Sequence, residues 1–172
     1  MQKAKALSRA DPEAGSLEGL YADPIFLVRR ANQIATAVFA ETCSKLEVTP
    51  AQYYVLFVLR RRSPISHNEL GRCACLDPST TNLVVRILRE RRMIYSQPHG
   101  SDRRKVLLTL TGSGRTVLEQ ADRLCSCAGR ELLSVYGKAQ AGSFVESLQR
   151  LTSYHEARRN EGAARMMPRP RG

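Results

Sequence analysis

Leu27, Ala31, Ile34, Val38 and Thr42 recur at the three-to-four-residue step of an amphipathic helix. Asp23-Pro24 opens that helix, with Asp as cap and Pro at the first helical position, and the pattern predicts a run to about Leu46. Thr49-Pro50-Ala51-Gln52 is a capping box that starts a second helix through Tyr53-Tyr54-Val55-Leu56-Phe57-Val58-Leu59, stopped at Ser63-Pro64. Ser66-His67-Asn68-Glu69 has the same form and begins a short helix containing Leu70, and Asp77-Pro78 starts another to about Arg92. Period-two patterning then predicts strands over Met93–Gln97 and Lys105–Leu110, joined by a long polar hairpin tip. Helical spacing returns with Val117, Leu118, Ala121, Leu124 and Ala128, capped by Thr111 and expected to reach Tyr136. A last helix carries Phe144, Val145, Leu148 and Leu151.

This order predicts a mainly α protein with a small β-hairpin. The expected divisions are an arm without regular structure over 1–20, a first helical segment over 21–48, a compact lobe over 49–110, paired C-terminal helices over 111–157 and a basic disordered tail over 158–172. With 172 residues and 42% hydrophobic content, the chain has the size and composition of about one globular domain. No apolar run reaches the roughly 18 residues of a membrane span, so no membrane partner is expected. Five cysteines without an export signal favour a reducing cytoplasm over a disulfide framework.

Charge narrows the partners. The net charge is +11, and eleven basic but only four acidic residues lie between Arg60 and Lys105. A cationic middle between near-neutral flanks suggests a polyanion, most simply nucleic acid. Within it, two short helices are joined by Gly71-Arg72-Cys73-Ala74-Cys75-Leu76, a helix-turn-helix spacing. In the helix after Asp77, Leu83, Val84, Ile87 and Leu88 read as the buried stripe, and Ser79, Asn82, Val85, Arg86 and Arg89 as the outer face. Hydroxyl, amide and guanidinium groups are those that bond base edges and phosphates. The tip residues Asp102, Arg103 and Arg104 could reach an adjacent minor groove.

At these residues the chain resembles the MarR family of winged-helix regulators. The resemblance spans about Pro24 to Leu151 and rests on Asp77-Pro78-Ser79-Thr80, on Asp102-Arg103-Arg104 and on Leu110-Thr111-Gly112-Ser113-Gly114. It implies a winged helix-turn-helix that dimerises through its N- and C-terminal helices. It also implies repression at a pseudo-palindrome in double-stranded DNA, and release by a small aromatic acid. Ser79, Thr80, Asn82, Arg86 and Arg89 match its base- and phosphate-contacting positions, and Asp102 and Arg103 its wing; Ser66 and Arg104 join them as candidates. Cys75 stands where many members have Gly in the turn. The implied effector pocket has candidates in Arg29, Arg30 and Gln33, in Tyr53, Tyr54 and Arg60, and in His67. Arginine or histidine among aromatics suits a carboxylate on a flat ring. The run Leu27–Ile34 also looks like a branch controlling breakdown of nicotinate and other aromatic acids, which makes a hydroxylated nicotinate or benzoate the expected effector class.

Other classes leave weaker signatures. Cys73-Ala74-Cys75 and Cys125-Ser126-Cys127 are C-x-C pairs, a poor zinc spacing, and no metal or other cofactor is expected. His67, His99 and His155 stand far apart and outside any catalytic motif, so no enzyme is expected. A redox-sensing repressor of the same fold using Cys43 or another cysteine, and a non-specific nucleic-acid coater, are the alternatives.

Overall fold

The computed structural model of the chain describes residues 17–98, 100 and 106–166. The chain divides after Ala128 into two compact units. In the first, a five-residue helix α1 (Glu18–Ala22) precedes α2 (Pro24–Thr42), so regular structure begins inside the expected unstructured arm. The Asp23 carboxylate accepts from Phe26 N (2.7 Å) and Pro24 takes the first turn, as the sequence predicts. The helix stops at Thr42 rather than Leu46. A 3-10 turn over Ser44–Leu46 follows, and Glu47 ends it in the left-handed region with φ 49°.

α3 (Pro50–Arg62) starts on the full capping box. Gln52 N donates to Thr49 Oγ1 (3.3 Å) and Thr49 N donates to Gln52 Oε1 (3.1 Å). Its buried side supplies Val55, Leu56 and Leu59 to the core. After Pro64, β1 (Ile65–Ser66) pairs antiparallel with a strand more than forty residues later, Ile65 opposite Leu108. The sheet therefore has three strands in the order β1-β3-β2, where the sequence predicts only the hairpin of β2 (Ile94–Pro98) and β3 (Val106–Leu110). A two-residue strand has no periodicity to read, and only its distant partner defines it.

α4 (His67–Cys73) and α5 (Pro78–Glu90) form the helix-turn-helix. Their approach is close: a Cβ on Gly71 would lie 2.7 Å from Thr81 Oγ1, which itself donates to Asp77 O (2.8 Å). Cys75 in the turn has φ 53°, the left-handed region. A Cβ in that region costs about 1–2 kcal/mol, which is a physical reason for the glycine that many members of the family it resembles carry there. Cys75→Gly is expected to stabilise the lobe by about 0.5–1 kcal/mol after the extra chain entropy of glycine is offset. A lower midpoint in urea unfolding would contradict this.

Arg91, just past α5, donates to Glu47 O (2.6 Å) and Leu46 O (3.3 Å), tying the end of that helix to the linker before α3. Thr111 closes the sheet onto α6 (Gly112–Leu132). Its hydroxyl donates toward Arg92 O (2.8 Å) and Met93 O (2.9 Å) and accepts from Gly114 N (3.0 Å). The core of the first unit gathers Leu56, Leu59, Leu70, Leu88, Ile94, Leu108 and Leu118. Most of α2 stays outside it: Phe39 is buried, but Ile25, Leu27, Val28 and Ile34 are exposed.

α6 ends at Leu132, short of Tyr136. The second unit is built around α7 (Lys138–Met166), where Tyr136 and Phe144 stack with ring centroids 5.4 Å apart. This helix continues through residues 158–166, where the sequence pattern predicts a disordered tail. Glu156-Ala157-Arg158-Arg159 and Ala163-Ala164-Arg165 are strong helix formers, and this propensity outweighs the single Gly162. α7 leaves Val145, Leu148, Leu151 and Tyr154 exposed.

Candidate functional site

The local sequence sets the face of α5. The Asp77 carboxylate accepts from Thr80 N (2.9 Å) and from Thr80 Oγ1 (2.6 Å), bonds that hold its pKa below the ordinary aspartate value and fix the helix start. Thr81, Val84, Val85 and Leu88 are buried against the lobe. Ser79, Asn82, Arg86 and Arg89 project from the opposite side, all exposed, as the sequence predicts. Two assignments are corrected. Val85, read as outer, is 6% exposed, and Leu83, read as core, is 47% exposed. Five apolar residues between 83 and 88 cover more of the helix than the lobe can bury. Packing against α3 and α4, rather than local periodicity, selects which of them turn inward.

The other DNA candidates are less available. Ser66 caps α4, its hydroxyl accepting from Glu69 N (3.4 Å), and Thr80 is engaged with Asp77. Asp102, Arg103 and Arg104 lie outside the described residues.

A second cluster forms between α2, α3 and α6, at the root of the helix-turn-helix lobe. Arg60 bridges to the Asp122 carboxylate through Nη1, and Tyr53 donates to the other oxygen of the same carboxylate (3.0 Å). Tyr54 packs edge-on against Tyr53 (5.5 Å) and the Arg60 guanidinium lies over the Phe57 ring (4.9 Å). Burial pushes the Tyr53 phenol well above its ordinary pKa, reinforced by its bond to Asp122 and by Cys125, so it stays a donor throughout the physiological range. Burial likewise raises the Tyr54 phenol and the Cys43 thiol, each with a contribution from Cys125.

The structure thus brings Tyr53, Tyr54 and Arg60 together around an acid that the sequence reading missed. Asp122 follows Ala121 at the edge of the α6 apolar stripe, an unusual place for a carboxylate, and that was the available signal. Arg29, Arg30 and Gln33 are exposed on α2, where Arg30 lies over the Tyr21 ring (5.4 Å) instead. His67 is the first residue of α4 and half-exposed. A guanidinium, a phenol and a carboxylate around aromatic rings can bind a flat molecule bearing both an anionic group and a hydrogen-bond donor. Among the described residues, no group of three or more His, Cys, Asp or Glu is placed to hold a metal, and no helix is long and apolar enough to cross a membrane.

Residues 48–106 match the model of the MarR family. Over 136 residues the chain is 32% identical to the HTH-type transcriptional repressor NicR of Pseudomonas putida, covering 79% of this chain and 84% of that one. The chain belongs to the MarR family. Its fold is also that of Bordetella bronchiseptica BpsR, a structure solved for regulation of DNA binding by 6-hydroxynicotinic acid, at 27% identity and TM-score 0.72 over 76% of this chain and 94% of BpsR. A mutant of Escherichia coli MarR complexed with operator DNA shares the fold at 23% identity and TM-score 0.72 over 80% of this chain and 99% of that one. As a MarR-family protein the chain is a winged-helix, DNA-binding transcriptional regulator and not an enzyme.

Proposed function

We propose that this MarR-family regulator represses transcription as a homodimer on a pseudo-palindromic operator, and leaves it on binding a small aromatic acid of the hydroxylated nicotinate or benzoate class. The observation that carries the DNA half is the α5 face, where Ser79, Asn82, Arg86 and Arg89 are exposed opposite a fully used buried side. Two such helices related by a two-fold axis would read half-sites about one helical turn apart. The dimer reading draws support from apolar side chains exposed on α2 (Ile25, Leu27, Val28) and, separately, on α7 (Val145, Leu148, Leu151). In this reading 21–48 and 111–157 dimerise and 49–110 binds DNA. Truncation before Gly142 is expected to abolish operator binding, and sedimentation of the full chain at micromolar concentration should give a dimer. A stable monomer that still binds the operator would contradict the dimer model.

The effector half draws on the Arg60–Asp122–Tyr53 cluster and on the likeness to BpsR, whose DNA binding is regulated by 6-hydroxynicotinic acid. The ligand carboxylate takes the Arg60 guanidinium from Asp122, and the freed Asp122 accepts from a ring hydroxyl or N–H. Breaking the α3–α6 tie would favour one spacing of the two recognition helices, and a coupling of about 1–3 kcal/mol suffices for a 5–150-fold change in DNA affinity. Calorimetry with 6-hydroxynicotinate and hydroxybenzoates tests this reading. Arg60→Ala is expected to weaken acid binding by about 10-fold or more, the loss of a charge-assisted hydrogen bond, and, because it also unties Asp122, to lower operator affinity in the absence of acid. A panel of such acids that neither binds nor lifts the protein off DNA would overturn the effector assignment. Release by peroxide alone would overturn it in favour of thiol sensing, a role that burial and a raised pKa oppose for Cys43 itself.

A further inference from the structure

Leu83 is a large apolar side chain among the polar groups of the α5 outer face. At 100° per residue it shares that face with Ser79 one turn before and Arg86 one turn after, and Asn82 lies beside it. It is 47% exposed, while Thr81, Val84, Val85 and Leu88 fill the buried side of the same helix. The core of the lobe therefore does not require it. The exposed guanidiniums of Arg86 and Arg89 make this face complementary to a polyanion. On the base edges of a major groove, the apolar feature is the thymine C5 methyl. Side chains three or four residues apart on a helix are about 5–6 Å apart, one to two base steps along a strand.

We propose that Leu83 is a specificity-determining residue that packs on the C5 methyl of one thymine in each half-site, within two base steps of the base read by Arg86. The assignment rests on the operator-binding reading above. It adds a sequence preference that hydrogen-bonding side chains alone would not produce, because uracil presents the same hydrogen-bonding edge as thymine without the methyl.

The test uses the full chain and an operator enriched from random duplexes. Each thymine in one half-site is replaced in turn by deoxyuridine, and affinity is measured for the wild type and for Leu83→Ala. For the wild type, one replacement should weaken binding about four-fold, the equivalent of one buried methyl group, and the others should have little effect. For Leu83→Ala that replacement should cost nothing further, and Leu83→Met, which keeps an apolar contact, should retain the sensitivity. A structural role for Leu83 would lower affinity equally on every duplex and leave the deoxyuridine profile unchanged. The same profile in wild type and Leu83→Ala would therefore overturn the assignment while leaving operator binding intact. Failure to enrich any sequence would overturn the operator reading and this assignment with it.

Discussion

Asn82→Ala and Arg86→Ala are each expected to weaken operator binding by about 1–3 kcal/mol, roughly 5–150-fold, for each half-site that loses the contact. Both side chains are exposed on α5, opposite a side packed by Val84, Val85 and Leu88, so truncating them removes contacts to DNA without opening a cavity. The effect should be selective. An amide or guanidinium that pairs with a base edge is worth little on a random duplex, where its partner is wrong, so affinity for random DNA should change far less. Fluorescence anisotropy on operator and random duplexes, at several salt concentrations, separates the two effects. A substitution at a phosphate contact lowers the salt slope and weakens both duplexes alike. Unchanged operator affinity in both variants would sink the assignment of α5.

Gly114→Ala is expected to destabilise the first unit strongly. A Cβ there would lie 2.1 Å from Met93 O and 2.8 Å from Leu110 Cδ1. The first is backbone, and it is held in place. Met93 O accepts from Thr111 N (3.0 Å) and from the Thr111 hydroxyl, the bonds that fasten the start of α6 to the base of the wing. One extra methyl must therefore pull α6 away from the sheet, at a cost of about 3 kcal/mol. Gly129→Ala, in the same helix with open space around it, is the matched control and should be neutral or stabilising by up to about 1 kcal/mol. Urea unfolding of both variants checks the contrast; equal midpoints would contradict the close approach at Gly114.

The helix starts were legible because their causes are local. Asp23-Pro24, Thr49-Pro50 with Gln52, and Asp77-Pro78 each place a cap and a fixed φ within four residues, and each opens a helix where expected. What failed to show depends on distant partners. Ile65 becomes a strand only through Leu108, and Leu83 and Val85 exchange faces because the neighbouring helices choose among five apolar candidates. The outer face of α5 was readable from its hydroxyl, amide and guanidinium pattern. The effector cluster was readable only in part: Tyr53 and Arg60, seven residues apart, share one face of α3, but Asp122, which joins them, lies more than sixty residues away. No local pattern announces such a pairing. The register of α6 against α3 creates it.

Whether α5 reads sequence is tested most directly by competition between an enriched operator duplex and a scrambled duplex of the same length and composition, at fixed salt. Sequence-specific reading predicts a preference of roughly 10³-fold or more for the operator. Equal competition by the two duplexes would contradict it and identify the basic surface as a non-specific coat.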